Sequence, residues 1–185
     1  MLKLEYPEID QTVLTVIDLQ ERLVPAMSEA EKTIDRCRML TRGVAELGGR
    51  ILVTEQYPKG LGHTITEMAE VLPENTPIIE KTDFSVFGEA QFNTELLKKS
   101  VHTMIICGIE SHVCVLQSIF DAVLRGYQVI VAADAVSSRK NGDRELALRQ
   151  AENAGAFLMS SEAVLFWLLK SAKHPSFKNI SKLVK

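Results

Sequence analysis

Three side chains with complementary chemistry each follow a strand-like apolar run in this sequence. Asp18 ends the run 12–17, Lys81 follows 77–80, and Cys114 lies shortly after 104–107. A carboxylate, an amine and a thiol suit nucleophilic catalysis. Cys114 would attack an electrophilic carbon, while Asp18 takes the thiol proton and delivers it to a leaving group. Lys81 would stand by as a cation. Cys114 is expected in the first turn of a helix, where unpaired N–H groups and the helix dipole favour thiolate. Backbone N–H groups of the turn 109–114 could receive the oxyanion. The bland alternative is that Asp18 caps a helix, Lys81 is a surface charge and Cys114 merely packs.

Such chemistry requires elements that bring the three positions together. The β-branched, near-continuous apolar runs at 12–17, 50–55, 77–80, 104–107, 128–133 and 156–159 read as strands covered on both faces. Helical patterns lie between them, at 29–47, 64–70, 89–100, 115–124 and 143–154, with a last one from 160 to 169. Gly48 and Gly49 stop the first of these helices, and Ser160 or Ser161 can cap the last. The alternation implies an α/β three-layer sandwich with a six-stranded, mostly parallel sheet in the order 3-2-1-4-5-6 and helices on both faces. In that order, strands one and four flank the point where the chain reverses its direction of travel across the sheet. Ligands bind at the carboxyl edge there, and Asp18, Lys81 and Cys114 all project from that edge. One domain is expected over 1–185, with a core of about 10–170 and a solvated tail at 171–185.

Composition narrows the classes. The chain has 185 residues, 46% hydrophobic and 24% charged, with a net charge of −3, so no nucleic-acid partner is expected. No apolar leader opens the sequence and no run is long enough to span a membrane. Three cysteines, Cys37, Cys107 and Cys114, show no CxxC spacing, which suggests free thiols in the cytoplasm. The apolar stretch 163–169 offers more greasy surface than one sheet face covers, so a homo-oligomer, a dimer or larger, is expected. Gln20, Gln56 and Tyr57 fall on carboxyl-edge loops that could orient a small-molecule substrate. Phe84 and Phe87 could line a pocket for a flat one, or pack in the core.

Longer blocks carry a family resemblance. Val16-Ile17-Asp18-Leu19-Gln20, Glu80-Lys81-Thr82-Asp83-Phe84-Ser85 and Gly108-Ile109-Glu110-Ser111-His112-Val113-Cys114-Val115 resemble the three signature blocks of the isochorismatase-like cysteine hydrolases. Ala133-Asp134-Ala135-Val136-Ser137-Ser138 resembles the segment that family carries after its fifth strand. The resemblance implies Asp18 as acid/base, Lys81 as electrostatic helper and Cys114 as nucleophile. It also implies a cis peptide at Ile109–Glu110 that aims N–H groups, including that of Cys114, at the oxyanion. Members of the family split C–N bonds of small amides and carbamoyl compounds. The name-giving enzyme instead cleaves a vinyl ether, and isochorismatases of that type lack the cysteine. Cys114 therefore points to amide-type hydrolysis through an acyl-enzyme. Nicotinamidases of the family carry an Asp-x-His motif that holds a metal, where this chain has Glu55-Gln56-Tyr57-Pro58. His63 is too isolated to rebuild that site, so neither metal nor cofactor is expected. The loop 54–62 is more similar to the isochorismatase-domain-containing proteins, whose substrates are unsettled.

Three other readings compete. A nicotinamide-dependent dehydrogenase would need G-x-G-x-x-G after the first strand, and Asp18-Leu19-Gln20-Glu21-Arg22 stands there. A redox sensor would use Cys114 with Cys107 or Cys37 as the resolving thiol, although Cys107 should point into the core. A catalytically silent scaffold would keep the fold without turnover.

Overall fold

The computed structural model describes residues 4–185. The first three residues, part of the opening read above as lacking a leader, lie outside them. β1 (Thr12–Ile17) leads through α1 (Ala30–Glu46) to β2 (Arg50–Gln56). Two short helical turns, α2 (Pro58–Leu61) and α3 (Thr66–Ala69), precede β3 (Ile78–Lys81) and α4 (Ala90–Leu97). β4 (Thr103–Ile109), α5 (Leu116–Leu124), β5 (Gln128–Ser137) and α6 (Asn141–Ala154) follow, and then β6 (Phe157–Met159), α7 (Ser161–Leu169) and α8 (Phe177–Leu183).

The six strands pair in parallel in the order β3-β2-β1-β4-β5-β6, as the alternation of strand and helix implies. Parallel pairing leaves both faces to be covered, and side-chain alternation sorts the apolar residues into two cores. Leu14, Val16, Val53, Ile105 and Cys107 face α1, α7 and α8. Val13, Ile17, Leu52, Ile79 and Ile106 face α4, α5 and α6. Cys107 thus lies on one side of the sheet and Cys114 on the other.

Two expectations are corrected and a third is narrowed. β5 runs past Asp134 to Ser137, with a register shift against β4 between Ile106 and Gly108. The tail beyond residue 171 is not merely solvated: it forms α8, whose Ile180 is fully buried against the α1 face. The greasy helix α7 is covered from within, with Tyr6 packing on Trp167 at 5.8 Å and Phe177 on Phe166 at 6.3 Å. These contacts use part of the apolar surface of α7, while Phe166 stays exposed, so the stretch still offers a face to a second copy.

Candidate active site

Strict alternation along β1 would send Asp18 to the α1 face, in line with Leu14 and Val16. Its backbone instead enters the left-handed region (φ 53°), which an aspartate tolerates better than most residues. The side chain turns to the opposite face, where Thr54 donates its hydroxyl to Asp18 Oδ1 at 2.7 Å. Close approach of β4 makes room for this turn: Gly108 (φ 115°) lies so near β1 that a Cβ there would fall on the Ile17 carbonyl oxygen.

Lys81, the last residue of β3, extends under the sheet edge to the same point. Its Nζ lies 2.8 Å from Asp18 Oδ2, and both side chains are wholly buried. The ion pair is not well directed as a hydrogen bond, and Asp18 Oδ2 takes none among the described residues. The ammonium protons go elsewhere, to Gln56 Oε1 at 2.6 Å, the Phe84 carbonyl at 3.2 Å and the Asp83 carbonyl at 3.3 Å. Those two carbonyls belong to a loop fixed on α5. Ser85 donates to Asp121 at 2.5 Å, and the Val86 N–H donates to Ser118 Oγ at 3.1 Å. Ser118 in turn donates to the Cys114 carbonyl at 2.6 Å, tying the lysine loop to the backbone of the thiol residue.

Cys114 is placed by a π-helical turn, Ser111–Val115, rather than by the first α-helical turn expected. The Glu110 carbonyl accepts the N–H groups of Val113 and Val115 and passes over that of Cys114. The peptide bond between Ile109 and Glu110 is cis. Cys114 is 6% exposed, and its Sγ lies 3.9 Å from Gln56 Oε1. The expected thiolate is overturned. Burial first, and then the Asp18 charge, push the thiol up to about 12, and the opposing pull of Lys81 does not offset them. At rest the thiol is held in its protonated form beside the buried Asp18–Lys81 contact.

The other candidates separate. Gln20 does not face a ligand: it is fully buried, its Oε1 accepting the Gln56 N–H at 2.7 Å. Its Nε2 donates to the carbonyls of Gln56 at 3.0 Å and Gly62 at 2.7 Å. Gln56 sits inside the site, bound to Lys81 and, through Nε2, to the Thr82 carbonyl at 2.8 Å. Tyr57 is 55% exposed at the mouth of an open groove of about 400 Å³ along β3, which Lys81 borders but Cys114 does not. Phe84 is 51% exposed. Phe87 is largely buried, edge-on to Phe92 at 5.5 Å and stacked on Tyr127 at 5.9 Å, and with Phe84 it also lines a surface hollow beside Asp121 and Arg125, away from Cys114. His112 engages Ser138 Oγ at 3.0 Å, and Glu110 pairs with Arg139 at 2.8 Å.

Several contributors carry no signal in the sequence pattern. Thr54 and Ser118 look like ordinary strand and helix residues. Glu55 faces away from the thiol and straps the following loop: it accepts from the Thr64 N–H at 2.6 Å and the Thr64 hydroxyl at 2.7 Å, and it meets His63 at 3.0 Å. Burial alone would raise its pKa, but those partners outweigh burial and hold it below the usual range. Asp134 accepts from the N–H and hydroxyl of Ser161, at 2.7 and 2.8 Å, and so anchors the start of α7. Among the described residues, no group of three or more His, Cys, Asp or Glu side chains could hold a metal ion.

The isochorismatase domain model matches residues 12–163, from the first residue of β1 into α7. The chain belongs to the isochorismatase family. It is 39% identical to isochorismatase family protein 1A of Dictyostelium discoideum, over 93% of this chain and 85% of that protein. It is 37% identical to isochorismatase domain-containing protein 2 of Danio rerio, over 94% and 86% of the two chains. Among solved structures, one described as MAR1 ribonuclease from Caenorhabditis elegans superposes with a TM-score of 0.92 at 43% identity, covering 97% of this chain and 92% of that one. The parallel sheet and its strand order are those of the family's solved structures.

Proposed function

We propose that the protein is a cysteine hydrolase that opens a C–N bond in a small amide or carbamoyl compound. The observation that carries this reading is the wholly buried Asp18–Lys81 pair at 2.8 Å beside the Cys114 thiol. Asp18 Oδ2 accepts no directed hydrogen bond among the described residues, so it is an open acceptor for the thiol proton. As the proton passes to Asp18, sulfur attacks the substrate carbonyl, and the oxyanion forms against backbone N–H groups of the turn 109–114. Asp18 then delivers the proton to the departing nitrogen. A water deprotonated by Asp18 attacks the resulting thioester, the C–S bond breaks to release the acid, and the proton returns from Asp18 to the Cys114 sulfur. Lys81 remains an ammonium throughout and balances whichever of sulfur or carboxylate is charged. The chemistry needs neither metal nor cofactor.

A panel of small amides, carbamoyl compounds and isochorismate, assayed with wild type and Cys114→Ala, tests the reading. Turnover should vanish with the thiol, and mass spectrometry should find acyl groups on Cys114. Turnover that survives Cys114→Ala would sink it. The likeness to a structure described as a ribonuclease gives a second reading, because a carboxylate and an ammonium also suit phosphodiester cleavage. RNA therefore belongs in the panel. Cleavage that depends on Asp18 and Lys81 but not on Cys114 would favour that reading. A cytoplasmic location is proposed on the free cysteines and a homo-oligomer on the apolar helix α7, whose Phe166 stays exposed, and a monomer by light scattering would refute the assembly. Among the described residues, no helix is long and apolar enough to cross a membrane.

A further inference from the structure

We propose that Gln56 is a positioning residue of this site: its side-chain amide draws the Lys81 N–H groups away from Asp18 and restrains the Cys114 thiol. The inference rests on the hydrolase reading for its meaning in turnover, but it follows from the geometry of the resting site.

An ammonium has three N–H donors and no acceptor. Around Lys81 Nζ, three neutral oxygens lie within hydrogen-bonding distance, and Gln56 Oε1 is the nearest at 2.6 Å. With its protons so taken, Lys81 gives Asp18 its charge without a directed hydrogen bond. The orientation of the Gln56 amide follows from its partners. Lys81 can only donate and the Thr82 carbonyl can only accept, so the oxygen must face the lysine and the nitrogen must face Thr82. The same oxygen is 3.9 Å from Cys114 Sγ, as an acceptor for S–H. One neutral atom therefore touches both the cation and the nucleophile.

The backbone that carries the amide is also held. Gln20, fully buried, grips the Gln56 backbone on both sides, accepting its N–H at 2.7 Å and donating to its carbonyl at 3.0 Å. A purely structural side chain needs no such backing, and a substrate ligand would leave its amide free. Gln56 does neither. Its oxygen presents the negative end of a dipole to sulfur, which favours S–H over thiolate until Asp18 takes the proton. Its hold on Lys81 keeps an Asp18 lone pair open for that proton.

The consequence is a reversal of sign between two substitutions. Gln56→Glu keeps the side-chain shape but adds negative charge beside the thiol, so thiolate becomes rarer. Gln56→Met removes the acceptor and lets Lys81 N–H groups turn to Asp18, so thiolate becomes more common but the base is weakened. Alkylation of Cys114 by iodoacetamide, followed by peptide mass spectrometry at fixed pH, reads this directly. The rate should fall roughly tenfold in Gln56→Glu and rise roughly tenfold in Gln56→Met, the effect of moving the thiol about one pH unit each way. Hydrolysis should fall in both. Shifts in the same direction, or none, would overturn the inference. If Gln56→Met fails to fold, the near-isosteric Gln56→Glu alone must still slow alkylation. Because alkylation needs no substrate, the opposed shifts would stand even if no amide were hydrolysed. Hydrolysis without them would sink the role of Gln56 and leave the hydrolase reading intact.

Discussion

Asp18 pairs two liabilities, a left-handed backbone and a carboxylate with no solvent contact. Lys81 relieves the second, so the two side chains stand or fall together. Lys81→Met strands a buried charge and should destabilise the fold by about 3–5 kcal/mol in urea melts, whereas Asp18→Asn combined with Lys81→Met should recover much of that loss. Asp18→Asn alone separates charge from catalysis. Asp18 raises the thiol through its charge, so the variant should alkylate at Cys114 faster than wild type near neutral pH. Under the proposed mechanism its amide hydrolysis should nevertheless fall by about 10²–10⁴-fold, because the proposed acid/base group is gone. Equal, slow labelling in both proteins would count against Asp18 as the partner of the thiol. Asp18, Lys81 and Cys114 were legible because each follows a recognisable strand. The roles of Gln20 and Phe87 were not, because an edge-loop position does not reveal whether an amide or a ring points outward.

The strands could be recognised from runs of β-branched residues, and their order followed from the strand–helix alternation with one reversal. What escaped was irregular: the extension of β5, the π-helical turn carrying Cys114, and α8. The π-helical turn has a period that neither a 2.0 nor a 3.6 template detects, and α8, at 7 residues, is too short for its period to show. The charge state of the thiol escaped for a related reason. The sequence pattern offered a helix terminus favouring thiolate, but the depth of burial that outweighs it arises from packing. The contact between β1 and β4 is a close one, and Gly108→Ala should show it. The substitution forces a methyl onto the Ile17 backbone at φ 115°. It should cost more than about 1 kcal/mol in thermal melts and slow turnover by shifting Asp18, two links along the same contact.

The two faces of the sheet divide the thiols. Cys37 donates to the Ala135 carbonyl at 3.2 Å, and the neighbouring Cys107 thiol together with burial holds Cys37 well above its ordinary value. The resolving role weighed for Cys107 is closed off, because the sheet separates it from Cys114. Both Cys37 and Cys114 are raised in the fold, and the sign of their linkage follows. Below the ordinary thiol value of 9.0 both states keep the proton, and above it the unfolded chain loses it first. Stability should therefore decline as pH rises from about 9 towards 12, and Cys114→Ala should decline less steeply in alkaline urea titrations. The packing around α7 has a different use. Glu8 accepts from Lys170 at 2.7 Å and from the Thr12 hydroxyl through its carbonyl at 2.7 Å, which places these ties where β1 begins, while Asp18 lies where β1 ends. Six residues of strand separate them, about 20 Å. Stabilising substitutions around Tyr6, Trp167, Phe177 and Ile180 can therefore be accumulated without touching the chemistry, which gives this scaffold a region for engineering robustness and a separate one for reprogramming substrate choice.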